Sequence, residues 1–385
     1  MRKRIEQTIN DRLDELFQIS KTLYENPELS EQEFRSSQLL ADYLTEQGFT
    51  VEKPYLGFET GFRAVCSSAK EGLNVGLFCE YDALPEVGHG CGHNLICTAS
   101  IGAALGLKSV IDTVGGTITL FGTPAEETTC TKGVYGEKGA YDNIDIGMMA
   151  HPDGVSRSSG RSLAMKAIQY EYFGRPSHAA SCPEEGINAL DGVILLFNGI
   201  NALRQHVKPD VRIHGVIHSG GAAANIVPEY ACARFYLRAG ERAYLEQVEE
   251  RVRQIAQGAA LMSGARLEIS YYEAGDDDMV TNQTMSEIFN RNLHTLTGEA
   301  IQAAGVSGSM DMGNVSHYIP AIHPMVGLGD VSLAGHTKEL AACTVTEGGL
   351  RFLRSASMAL AYTALEVMTD PALYQRICEE FAAIP

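Results

Sequence analysis

Four short, mostly apolar runs in the first 150 residues set the frame for this chain: 62–65, 74–78, 117–121 and 144–149. Runs of this kind are strands covered on both faces, as in the middle of a sheet layered between helices. A helical stretch at 94–111 separates the second run from the third. Strands alternating with helices predict an α/β fold on a largely parallel sheet. Ahead of the runs, Ile5, Ile9, Leu13 and Leu16 recur at helical spacing until Pro27. Ser30, followed three residues later by Glu33, reads as a capping box opening a second helix that Gly48 stops.

From residue 163 the pattern changes. A strand at 164–174 leads to a helix at 186–205, strands at 211–218 and 226–238, a helix at 241–262 and a strand at 266–272. Leu245, Val248, Val252, Ile255 and Ala259 form one face of that second helix. The order β-α-β-β-α-β is the ferredoxin-like layout. The expected organisation is one discontinuous α/β domain, 1–162 plus 275–385, with a smaller α+β domain, 163–274, inserted into it. A length of 385 residues agrees with two domains at ~150 residues each. Asp276-Asp277-Asp278 reads as a solvated hinge, and the last helix, 344–368, is expected to pack on the first sheet.

Charge and cysteine usage exclude several functions. Acidic residues outnumber basic ones 48 to 30, a net charge of −18 that repels nucleic acid and anionic membrane surfaces. The nine cysteines are irregularly spaced, with no C-x-x-C pair, so neither a disulfide framework nor a zinc ribbon is expected. The N-terminus starts basic but turns polar where a signal peptide needs an apolar core. No run of about 18 apolar residues is present. A cytoplasmic protein without a membrane partner is the expectation.

Metal-ligating residue types collect where strands end, which is where open α/β sheets gather function. After 74–79 come Glu80, Asp82, Cys91 and His93. After 117–121 come Glu126 and Glu127. After 144–149 comes His151. Any one of these has a bland explanation: a glycine turn with a buried cysteine, a solvated acidic pair, a surface histidine. Three consecutive strand ends delivering a thiol, imidazoles and carboxylates point instead to a metal site. In an extended segment Cys91 and His93 would face the same way. Of two adjacent glutamates, one can ligate while the other serves as general base. His89 is read as a supporting group, and histidines 206, 214, 218, 294, 317 and 323 as structural. The glycines at 88–92 lack the G-x-G-x-x-G spacing of a nucleotide loop, and no G-x-S-x-G elbow is present.

The segments Tyr81-Asp82-Ala83-Leu84-Pro85, Gly90-Cys91-Gly92-His93-Asn94, Thr123-Pro124-Ala125-Glu126-Glu127, His151-Pro152, Ser177-His178-Ala179-Ala180 and Gly335-His336-Thr337 resemble the M20 metallopeptidase and amidohydrolase family. The likeness runs in order along nearly the whole chain. It is strongest to the cysteine-ligand branch that includes p-aminobenzoyl-glutamate hydrolase subunits and M20-domain dipeptidases. The resemblance implies a di-metal, zinc-peptidase-like catalytic domain with a ferredoxin-like dimerisation (lid) domain inserted. It implies Cys91, His93, Glu127, His151 and His336 as ligands of two divalent ions, zinc or manganese, and Glu126 as general base. Asp82 stands where other branches support a metal-binding histidine, although Glu80 here takes that histidine's place. His178 is implied in catalysis and Asn225 in holding substrate. Arg238 is either a carboxylate-binding residue or a surface ion pair. The implied reaction is hydrolysis of an N-acyl amino acid, an aminobenzoyl-glutamate-like conjugate or a dipeptide by a metal-activated water. A homodimer through the inserted domain is implied too. The alternative is a non-catalytic metal-binding subunit of a hetero-oligomeric hydrolase.

Overall fold

The computed structural model describes residues 1–305 and 308–384. Two units are distinct by their internal contacts, one of 1–161, 279–307 and 311–385, the other of 162–278 and 308–310. Numbered along the chain, the first carries β1 (Thr50–Glu52), β2 (Phe62–Ser67), β3 (Asn74–Cys79), β4 (Thr117–Gly122), β5 (Ile146–Met148), β6 (His151–Asp153), β11 (Ala321–Ile322) and β12 (Met325–Gly327). The second carries β7 (Ala164–Phe173), β8 (Arg212–Ser219), β9 (Tyr230–Ala239) and β10 (Arg266–Tyr271).

The main sheet of the first unit has the order β1-β2-β4-β3-β5-β11. β4, β3, β5 and β11 are mutually parallel, and β1 and β2 form an antiparallel flank. Parallel strands need crossovers, and the helix His93–Lys108 supplies the one from β3 to β4. That helix is buried from His93 through Leu107, because its sequence is apolar or small on every side. Gly102 lets a neighbouring helix come close: a Cβ there would lie 2.4 Å from Ser357 Oγ.

Three expectations are corrected in the first unit and the second. The last long helix, Glu347–Thr369, does not lie on the main sheet; it packs on the helices His93–Lys108, Gln283–Thr297 and Arg2–Glu25. The sheet face expected beneath it is already taken by His93–Lys108. The Ser30–Glu33 capping box does not form, since the second helix starts at Phe34 with Glu33 at its N-cap. Both side chains are engaged elsewhere, Ser30 with Asp82 and Glu33 with Thr60 and Ala125. The acidic run is not solvated either: Asp276 and Asp278 are 6% and 3% exposed. Asp278 accepts the backbone N–H of Arg242 at 2.7 Å, and Asp277 pairs with the Arg242 guanidinium.

The second unit is one antiparallel sheet in the order β10-β7-β9-β8. Counted from its own first strand this is 4-1-3-2, the ferredoxin-like arrangement. The helices Ala189–Leu203 and Arg242–Ser263 pack against it through Val193, Leu196, Val248 and Val252 onto Ile168 and Phe235. Asn188 caps the first of these helices by accepting from the N–H groups of Leu190 and Asp191. β8 is an edge strand, and its Val216 and Ile217 are 61% and 48% exposed.

Candidate metal centre

Because β3, β4 and β5 are parallel neighbours, the segments that leave them emerge along one edge of the sheet. Glu80 and Asp82 follow β3, Glu126 and Glu127 follow β4, and His151 opens β6 just beyond β5. Cys91 and His93 arrive by a turn rather than an extended segment. Gly92 sits in the left-handed region with φ +78°, and a Cβ there would fall 2.3 Å from Pro152 Cγ. Only glycine suits this position on both counts. His93 then begins the buried helix, pointing back toward Cys91. His336 is held against the same turn, its backbone N–H donating to the Gly90 carbonyl at 2.9 Å.

Two histidines have one ring nitrogen engaged. His93 Nδ1 faces Asp82 Oδ1 at 2.9 Å, and His151 Nδ1 faces the Pro152 carbonyl at 2.8 Å. In each case the partner is an acceptor, so Nδ1 donates to it and Nε2 is the atom left to face a cation. Cys91 Sγ lies 3.4 Å from His151 Nε2, and Glu127 Oε1 lies 3.5 Å from His336 Nε2. These side chains form two groups, Cys91–His93–His151 and Cys91–Glu127–His336, whose donor atoms lie within 4.8 Å of one another. The Cys91 sulfur belongs to both.

The donor set fits a pair of divalent cations. His93 Nε2 and Glu127 Oε1 are buried without a hydrogen-bond partner. Burial pushes the Cys91 thiol up to about 12, so a thiolate there requires a cation to offset it. Separations of 3.4 and 3.5 Å match the edges of a tetrahedron with bonds of about 2.0–2.3 Å.

Surrounding charges tune the candidate base and its neighbours. Burial, then the nearby carboxylates of Glu80, Asp311 and Glu127, raises the Glu126 carboxyl well above the ordinary range. Burial alone would raise Asp82 too. The His93 imidazole beside it, the Glu127 N–H and the Ser30 hydroxyl hold it below the ordinary carboxylate range.

Residues 165–261 match the family description "Peptidase dimerisation domain". The fold is that of a solved Bacillus subtilis protein described as a dinuclear metal binding peptidase from the M20 family, with TM-score 0.67 and 18% identity over 93% of this chain and 99% of that one. A p-aminobenzoyl-glutamate hydrolase subunit from Escherichia coli (strain K12) is 32% identical over 66% of this chain and 57% of its own length. Xaa-Arg dipeptidase from Mus musculus is 32% identical over 99% of this chain and 92% of its own length. The chain belongs to the M20 peptidase family. It is therefore a hydrolase acting on amide bonds.

In this M20 peptidase, His178, Asn225 and Arg238 belong to the second unit, outside both ligand groups. His178 and Asn225 are exposed. Arg238 donates to Ser309 Oγ at 2.6 Å and lies over the Tyr236 ring.

Sequence reasoning misses three features around the site. His323, expected to be structural, is buried with its ring 5.5 Å from that of His151. Burial pushes it down to about 3, so it is neutral. Its position just after β11 is the available signal, because β11 lies parallel beside β5 and ends on the same edge. Lys132 is wholly buried, with its ammonium 2.5 Å from both Glu80 and Asp311. Glu80, Glu126 and Asp311 form a further carboxylate group. No spacing in the sequence ties Lys132 to residues 52 and 179 positions away. The third feature is Glu33, buried and placed next to the Glu126–Glu127 turn by Ala125.

Proposed function

We propose that this M20 peptidase is a two-metal amidohydrolase that releases an amino acid with a free carboxylate from a dipeptide, an N-acyl amino acid or an aminobenzoyl-glutamate-like conjugate. The observation that carries this reading is the Cys91 sulfur shared by two ligand groups, with the Glu126 carboxylate beside them. Cys91, His93, Glu127, His151 and His336 would hold divalent ions, zinc or manganese by their donor chemistry, and such ions would supply Lewis acidity toward water and a carbonyl. Glu126 removes the proton from the attacking water and returns it to the leaving amine. Asp82 fixes the tautomer and direction of His93. Asn225 and Arg238 hold the substrate, Arg238 by its planar fork on the carboxylate.

The test is a panel of Xaa-Arg and other dipeptides, N-acyl amino acids and aminobenzoyl-glutamate, assayed with added zinc or manganese. Chelation should abolish hydrolysis and metal should restore it. The purified chain should hold up to two ions, and Cys91→Ser should lose occupancy at both positions, because a hydroxyl is a far poorer ligand than a thiolate. Full metal content in Cys91→Ser would reject the ligand set. Two bound ions with no hydrolysis of any panel member would favour a non-catalytic subunit.

The same reading makes the chain a homodimer through its second unit, with His178 serving the partner's metal site. An exposed apolar edge such as β8 is a ready template for pairing with a second copy. Mixing His178→Ala with Glu126→Gln, after dissociation and reassociation, tests it. Random pairing makes half the dimers mixed, each with one intact site of two, so about a quarter of wild-type activity should return. No recovery, with exchange confirmed independently, would place His178 outside the partner's site.

A further inference from the structure

The turn that presents Glu126 and Glu127 is held in an uncommon backbone conformation. Ala125 has φ 57°, in the left-handed region that alanine rarely enters. Its carbonyl accepts the N–H groups of Thr129 and Cys130 at 2.9 and 3.0 Å, which closes the turn behind the two glutamates. Its own N–H points the other way, to Glu33 Oε1 at 2.8 Å. Glu33 is fully buried, and its remaining bonds come from the Glu31 N–H at 3.0 Å and the Thr60 hydroxyl at 3.0 Å. On the far side of Glu126, the N–H of Glu127 donates to Asp82 Oδ2 at 3.1 Å. The Ser30 hydroxyl donates to that same oxygen at 2.9 Å. Two buried carboxylates therefore pin the backbone immediately before and after Glu126, and the segment 30–33 touches both.

We infer that Glu33 is a positioning residue of the active site, aiming Glu126 and Glu127 by fixing the Ala125 N–H. The inference rests on the roles assigned above to those two glutamates. Its cause is geometric. A left-handed alanine relaxes unless its peptide groups are held, and relaxation turns the next two side chains away from their targets. Misplacement by about 1 Å of a catalytic group costs up to ~10²-fold in rate.

Reach and protonation are separated by two substitutions. Glu33→Gln keeps an acceptor at the same distance and removes the titratable proton of a carboxyl that burial and Asp82 raise to about 7. Glu33→Asp keeps the carboxyl and withdraws the acceptor by one methylene, about 1.5 Å. The aspartate variant should lose about ten-fold or more in kcat with KM changed less than about three-fold, and the Ala125 amide should exchange with solvent at least ~10-fold faster. The glutamine variant should stay within about three-fold of wild type in both readouts. Adding Ala125→Gly to Glu33→Asp should recover part of kcat, because glycine enters the left-handed region without cost. Equal losses in the glutamine and aspartate variants would overturn the inference, as would full kcat and unchanged exchange in the aspartate variant. If Glu33→Asp does not fold, exchange at Ala125 and kcat in Glu33→Gln decide, a large change in either being contrary. Amide exchange does not depend on the role of Glu126. Retained kcat in Glu126→Gln would reject the proposed mechanism and leave the exchange result standing.

Discussion

Glu126→Gln should lower kcat by at least ~10²-fold while the protein keeps its two metal ions and its affinity for substrate. Glutamine preserves the volume and one acceptor oxygen but cannot take a proton from water. The native carboxylate lies with Oε2 3.9 Å from His93 Nε2; it is in neither group around the Cys91 sulfur but forms a further potential ligand group with His93 and Glu127, so metal content must be measured beside kcat. Burial and the carboxylates of Glu80, Asp311 and Glu127 raise its proton affinity. Glu127→Gln should do the reverse, losing metal from the group with Cys91 and His336. Elemental analysis alongside steady-state kinetics separates the two. Loss of metal in Glu126→Gln with retention in Glu127→Gln would show that the roles are exchanged.

Lys132→Met should destabilise the first unit by about 3–5 kcal/mol, the cost of removing one partner from a buried ionic cluster. Methionine fills nearly the same volume, so packing is spared and the electrostatic loss dominates. Without the ammonium, Glu80 and Asp311 remain buried near each other and near Glu126 and lose the counter-charge they share. Burial alone would lower the affinity of Lys132 for its proton, but Asp311 and Glu80 outweigh it and raise that affinity. The chain has no tryptophan, so urea unfolding is best followed by circular dichroism. Adding Glu80→Gln to Lys132→Met should restore part of the loss, because one of the two stranded charges is then removed. An unchanged midpoint in Lys132→Met would mean that the cluster is solvated in solution.

Much of the scaffold is legible in the sequence because its cause is local. β3 and β4 are central strands, and both faces of their sequence show it. The second unit is legible for the same reason, since each helix carries one apolar stripe and each strand ends at a turn signal. Cys91, His93, Glu127 and His151 stand out as ligand types at strand ends, His336 is reached only through the family resemblance, and the structure brings the five into two groups. What escapes the sequence is long-range. Ser30 and Glu33 have the spacing of a capping box, but stronger partners lie 52 and 92 residues away. Asp276-Asp277-Asp278 looks solvated until Arg242 is placed against it. Lys132 has no local feature that separates it from a surface lysine. The length and apolar content of the last helix show that it must be covered, but not by which layer, so the expected packing on the sheet gives way to packing on helices.

The buried ammonium of Lys132 also bears on where the site finds its positive charge. The carboxylate cluster of Glu80, Glu126 and Asp311 is met by a cation that is part of the chain. That charge cannot be diluted, exchanged or taken by a competing chelator. Small metal-dependent domains lose their fold with their ion, because the binding free energy of the ion is their folding free energy. Here Glu80 and Asp311 draw their counter-charge from the chain itself, so that part of the charge balance at the site does not depend on a bound ion.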